Sequence, residues 1–69
     1  MSLTKTELRI IYSERTWCME WSDSLDEQLE ESFIKNPEFF TDEIFYKIQF
    51  VVILWPEARL EDILGLLTE

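Results

Sequence analysis

The sequence has no histidine and only one cysteine, Cys18, and these shortages exclude most catalytic and metal chemistry. A lone thiol forms no disulfide within the chain and fits a reducing compartment better than an oxidising one. Without histidine, a nucleophile would need Lys, Asp or Glu as its base, and zinc would lack its usual ligands. We therefore expect no enzymatic activity, no cofactor and no metal site, with Cys18 a packed, inert thiol.

Turn-forming residues are also scarce, because the 69 residues include one glycine and two prolines. This composition favours a single domain of long regular elements with few loops. The N-terminal stretch MSLTKTELRI lacks the apolar run of a signal peptide. The most apolar segment, Ile44–Trp55, is shorter than the ~20 residues that span a bilayer. We expect a soluble, cytoplasmic protein with no membrane partner.

Basic residues are few, with six Lys and Arg against fifteen Asp and Glu and a net charge of −9. Residues 22–43 carry eight of the acids and one base, Lys35. A field of this sign repels phosphate backbones and attracts basic partners, although solubility alone also accounts for it. We expect no direct binding of nucleic acid.

Apolar residues are abundant at 46% of the chain, and they are concentrated in IFYKIQFVVILW, residues 44–55. This segment is apolar on nearly every side, whether it is drawn as a helix or as a strand. A chain this short buries only about 60% of its unfolded surface, so it has difficulty covering such a segment alone. The sequence therefore predicts a homodimer in which a second chain covers it.

The first 21 residues contain two stretches in which apolar and polar residues alternate. Leu8, Ile10 and Tyr12 alternate in the first stretch, and Trp17, Met19 and Trp21 alternate in the second. This pattern predicts one or two short strands, the second more clearly than the first. The alternative for residues 4–12 is a helix, since Thr4 and Glu7 have the spacing of a capping box.

Three helices are predicted after these strands. The first starts at Ser22, Asp23 or Ser24 and ends at Asn36, because a residue before proline is disfavoured in the α region. The second starts after the N-cap Thr41 and covers Asp42 to about Leu54, with a strand over residues 48–55 as the alternative. The third starts near Pro56 and has an amphipathic face formed by Leu60, Ile63, Leu64 and Leu67.

The order of these elements over Thr16–Leu54 resembles the ribbon-helix-helix fold. The resemblance comes from WCMEWSDSLDEQL, as a strand leading into the first helix, and from TDEIFYKI, as the start of the second. It implies an intertwined dimer in which the second helix is wrapped by both chains. The expected fold is therefore α+β and mostly helical, with one or two N-terminal strands followed by three helices. The predicted strand lacks Arg, Lys, Asn or Gln to read a base edge, and Glu20 has the wrong sign to face phosphate.

These patterns predict a non-enzymatic protein-interaction module, acting as an inhibitor or regulator that binds a basic surface of another protein. The alternative is a ribbon-helix-helix transcription regulator that binds DNA. The predicted partner-binding residues are the acids of the first long helix: Asp23, Asp26, Glu27, Glu30 and Glu31. The predicted dimer interface contains the apolar residues Trp17, Met19, Trp21, Ile44, Ile48, Val51, Val52 and Trp55.

Overall fold

A computed structural model describes residues 3–68, which form four α-helices and no strand. The helices are α1 (Lys5–Thr16), α2 (Asp23–Lys35), α3 (Asp42–Leu54) and α4 (Leu60–Leu67). The predicted α+β class is therefore wrong, because the segment expected to form strands contains a helix and a loop.

The first predicted strand is replaced by α1, whose start is fixed by the capping box. The Thr4 hydroxyl accepts a hydrogen bond from the Glu7 backbone N at 3.1 Å, and Glu7 Oε1 accepts one from the Thr4 backbone N at 2.9 Å. Leu8 and Tyr12, four residues apart, are buried on one side of the helix, whereas Ile10 is 54% exposed. The satisfied helix terminus and the i, i+4 apolar pair outweigh the alternation.

The second predicted strand is a turn followed by an irregular loop between α1 and α2. The Glu20 backbone N donates to Oε1 of Gln49 on α3, and Gln49 Nε2 donates to the Glu20 carbonyl at 2.8 Å. One side-chain amide thus satisfies the backbone groups that a neighbouring strand would otherwise pair. The ribbon that the ribbon-helix-helix resemblance requires is not found in the described part of the chain.

The predictions for α2 and α3 are confirmed, including the choice of helix over strand for residues 48–54. The Ser22 hydroxyl accepts from the Leu25 backbone N at 3.2 Å, and the Thr41 hydroxyl accepts from the Ile44 backbone N at 3.3 Å. The C-caps of the two helices, Asn36 and Trp55, each precede a proline. Each end follows from the restriction that proline places on the residue before it.

The last helix is shorter than predicted, because α4 begins at Leu60 and Pro56 lies in a turn. An Asp62 carboxylate oxygen accepts from the Arg59 backbone N at 3.4 Å, as the N3 acid of a capping box does. Gly65 lies within α4, where an added Cβ would meet nothing within 4 Å.

The four helices pack as a ring in which α1 and α4 each contact both α2 and α3. The helices α2 and α3 therefore lie diagonally opposite each other, and only their inner faces meet in the core. That core is aromatic, with Tyr12, Phe33 and Phe45 rings centred 5.8–5.9 Å apart. Leu29, Ile48 and Ile63 are fully buried around them. Burying each such side chain contributes about 1.5–3 kcal/mol. Since these residues are buried by helices of the same chain, the inward side of residues 44–55 is covered without an intertwined partner.

Candidate interaction surfaces

The outer side of α3 carries large apolar side chains that no other helix of the chain covers. Tyr46, Phe50, Ile53 and Leu54 are each 62–70% exposed. They lie at positions i, i+4, i+7 and i+8, which places them along one stripe of the helix. We call these four residues the α3 outer face. Exposed patches of contiguous large apolar residues mark interaction sites more often than scattered single residues do.

This stripe continues onto α4 across a shallow groove between the two helices. Tyr46 and Phe50 line one side of the groove, and Leu66 and Leu67 line the other. Leu66 is itself 51% exposed. The apolar surface is therefore formed by two helices, and it includes both the exposed stripe along α3 and the shallow groove between α3 and α4.

The charged residues at the start of α3 are paired within the chain. Glu43 and Lys47 form an ion pair at 3.4 Å along the helix, and Asp42 lies 3.5 Å from Arg15 of α1. Arg15 also donates to the Phe40 carbonyl at 2.9 Å, which holds it in place. The end of the apolar stripe at the start of α3 is consequently close to neutral.

The eight predicted interface residues are divided between the core and the surface. Ile48 and Val52 are buried by the chain's own helices, so they are not available to a second chain, and that part of the prediction is corrected. Trp17 and Trp55 are exposed at 82% and 45%. The other four are partly buried against the core: Met19, Trp21, Ile44 and Val51.

The α3 outer face lies within the apolar segment that a second chain was expected to cover, although none of its four members was named among the predicted interface residues. Its four members recur at helical spacing, so a helical wheel of residues 42–54 separates them from the buried positions. The wheel alone does not say which stripe faces inward. That choice depends on α1 and α4 lying on either side, which is a tertiary feature.

The predicted partner-binding acids lie on the outer side of α2. Asp23, Glu27 and Glu31 are exposed, and Glu30 is half-buried. Within residues 3–68, neither ion pair involves a carboxylate of α2. We call Asp23, Glu27 and Glu31 the α2 acidic face. It lies across the ring from the α3 outer face.

Asp26 is held by internal hydrogen bonds, unlike the other acids of α2. Its Oδ1 accepts from the Tyr12 hydroxyl at 2.7 Å and from Trp21 Nε1 at 3.0 Å. Burial raises the pKa of Tyr12 well above its usual range, and the hydrogen bond to Asp26 adds to that shift. Asp26 thus links α2 to α1 and to the loop between them, so it is a structural residue as well as an acid.

Cys18 is exposed rather than packed, which corrects one part of the sequence prediction. It lines a shallow hollow with Glu20, Gln49, Ile53 and other side chains, none of them basic. The hollow therefore places no cationic side chain beside the thiol. Among residues 3–68, no three Cys, Asp or Glu side chains come together as a metal site.

Comparisons with protein-family models, with curated proteins and with solved structures find no match for this chain. Among residues 3–68, no helix has the length and apolar character needed to cross a membrane. The α2 acidic face and the α3 outer face are therefore the features of the molecule that bear on its function.

Proposed function

We propose that this chain is a non-enzymatic, cytoplasmic protein-interaction module that binds a basic surface of another protein through the α2 acidic face. The observation that supports this is that, among residues 3–68, no ion pair involves a carboxylate of α2, while the acids at the start of α3 are paired. Carboxylates that the fold does not neutralise remain available to a basic partner. An inhibitor or regulator that masks such a partner is the corresponding role.

The field around α2 suits rapid association with a cation-rich surface. Residues 22–43 hold eight of the chain's fifteen acids, and most of these lie on α2. When many charges of one sign lie on a surface, they attract an oppositely charged partner over a distance. This raises the association rate more than it strengthens the contacts within the complex. Binding of this kind weakens as salt screens the charges, over a Debye length of about 8 Å at physiological ionic strength.

The test neutralises only the carboxylates that the fold does not use. The variant is Asp23→Asn, Glu27→Gln and Glu31→Gln, and it leaves Asp26 and Glu30 unchanged. The matched control, Glu14→Gln, Glu57→Gln and Glu61→Gln, removes three exposed negative charges outside α2. Both variants should fold, since exposed charges contribute ~0–1 kcal/mol each to stability.

The probe is a synthetic Lys- and Arg-rich helical peptide, with binding measured at low and physiological salt. We expect the α2 variant to lose at least about tenfold in affinity, mostly in the association rate, and the control to lose much less. Equal losses in both variants would mean that net charge alone attracts the peptide, and the α2 acidic face would not be a binding surface. A DNA gel shift at low salt tests the rival DNA-binding function, for which we expect no complex.

A further inference from the structure

We propose that a second copy of this chain covers the α3 outer face, forming a two-fold symmetric homodimer through α3 and the α4 edge of its groove. This inference is independent of the proposed function, because it concerns the opposite side of the molecule. It also differs from an intertwined dimer, since each chain keeps its own closed core and only the outer surfaces meet.

The size of the exposed apolar surface agrees with the area that a dimer requires. Tyr46, Phe50, Ile53, Leu54 and Leu66 are each 51–70% exposed. At roughly 100 Å² apiece they present on the order of 500 Å² of exposed surface, most of it apolar, given that an aromatic side chain buries about 150–250 Å² in full. One partner of a stable interface contributes about 800 Å², of which about 65% is apolar in homodimers. The surface of one chain therefore supplies about one half of such an interface.

The distribution of charge permits a second chain with the same net charge of −9 to approach this face. The Glu43–Lys47 and Asp42–Arg15 pairs leave the end of the stripe at the start of α3 close to neutral. The unpaired acids of α2 lie on the far side of each molecule, so pairing through α3 keeps the two α2 acidic faces far apart. Screening over about 8 Å then removes most of their mutual repulsion.

The same charges argue against other occupants. A basic protein would find no unpaired carboxylate at the centre of the α3 outer face, and an anionic membrane surface would repel a chain of charge −9. A second copy needs no charge complementarity here, because it brings the same apolar stripe. Isologous two-fold contacts are also the commonest form of self-association among soluble proteins.

The stripe is self-complementary when two α3 helices pack antiparallel. A two-fold axis close to Phe50 sets Tyr46 of each copy against Leu54 of the other, because the two residues are equally distant from Phe50 in sequence. The Phe50 side chains then meet near the axis, and the opposed helix dipoles attract weakly. Tyr46, Phe50 and Leu54 thus each find an apolar counterpart, whereas Ile53 faces the alkyl stem and ammonium group of Lys47 in the other copy.

Sedimentation equilibrium at micromolar concentration tests the homodimer. The wild-type chain, at 8.4 kDa, should sediment with twice that mass. The double variant Phe50→Glu, Leu54→Glu should be folded by circular dichroism and monomeric. We expect its self-association to be at least about 100-fold weaker, because charge would be buried at the centre of the interface.

The matched control is Leu3→Glu, Ile10→Glu, which adds the same two charges at apolar positions 50% and 54% exposed on the α1 side. It should remain dimeric with at most about a threefold loss in affinity, in keeping with the small effect of charges outside an interface. A monomeric wild type, or equal weakening in both variants, would overturn the proposal. Neither result would affect binding of the basic peptide by the α2 acidic face, so the two proposals can fail separately.

Discussion

The helices α2 and α3 have the same construction and opposite surfaces. Both are 13 residues long, both begin after a hydroxyl N-cap with Asp at the first helical position, and both end before a proline. Each buries three residues in the shared core. Outward, α2 presents carboxylates and α3 presents aromatic and aliphatic side chains. The buried stripe of each helix therefore serves folding in the same way, whereas the outward stripe is not needed for the core and can form an interaction surface.

The largest expected effects come from the inner faces, where the two helices should behave alike. Phe33→Ala in α2 and Phe45→Ala in α3 each remove a side chain that is at most 1% exposed. Each should lower the free energy of unfolding by about 3–5 kcal/mol, through lost burial and the cavity left behind. Chemical denaturation followed by circular dichroism measures this, and Phe45→Leu provides a milder variant if the alanine forms unfold.

The control on the outer face of α3 is Phe50→Ala, studied at concentrations low enough for a monomer. It should change the free energy of unfolding by no more than ~0.5 kcal/mol, as is usual for surface positions. A loss at Phe50 comparable to that at Phe45 would mean that the outer stripe belongs to the core of the single chain, and the comparison would fail.

An intermediate effect is expected on α2, where one acid differs from its neighbours. Asp26→Ala removes the acceptor for the Tyr12 hydroxyl and for Trp21 Nε1, and should cost about 1–3 kcal/mol. Glu27→Ala, one residue further along and exposed, should stay within ~0.5 kcal/mol. Thermal and urea unfolding of the two variants measures the difference. If the two variants have the same free energy of unfolding, Asp26 contributes no more to stability than an acid exposed to solvent.

The smallest effect is a pH dependence at Tyr12, whose ring packs against Phe33 of α2 and Phe45 of α3. Because its pKa is raised in the folded chain, the unfolded chain loses the phenol proton first, near pH 10. Stability should therefore fall by up to ~1.4 kcal/mol per pH unit above about pH 10. Below that pH this contribution is fully present.

Tyr12→Phe isolates this contribution from other groups that titrate in alkali. At neutral pH the variant should lose about 0.5–1.5 kcal/mol with its hydroxyl hydrogen bond. Above pH 10 its stability should fall less steeply than that of the wild type. Urea denaturation across the pH range gives stability as a function of pH for both proteins. If the two curves are parallel above pH 10, the raised pKa of Tyr12 is contradicted.

Local signals predicted α2 and α3 well, because their beginnings and ends are encoded within a few residues. A hydroxyl N-cap followed by acids, and a residue restricted by the next proline, do not depend on the rest of the fold. The N-terminal third was harder, since apolar alternation at Leu8, Ile10 and Tyr12 competed with the Thr4–Glu7 capping box. The box was the better signal there.

The surfaces depended on contacts that sequence spacing does not reveal. The partners of Asp26 are 5 and 14 residues away, so nothing local separates it from Glu27. Likewise, the apolar composition of α3 was visible, but the ring of helices decides that Ile48 is buried and Phe50 exposed. The acidic character of α2 was predictable, because it needs only the positions of the carboxylates.

The two hydrogen bonds between the Gln49 amide and the Glu20 backbone give the loop after α1 an unusual property. Loop amides normally exchange with solvent deuterium quickly, whereas the Glu20 N–H is held by a side chain of α3. Its exchange requires that the loop and α3 separate, which makes this one amide a reporter of that separation. Slow exchange at Glu20, isolated among faster neighbours, would mark where the non-helical backbone is fastened to the helix that carries the apolar face.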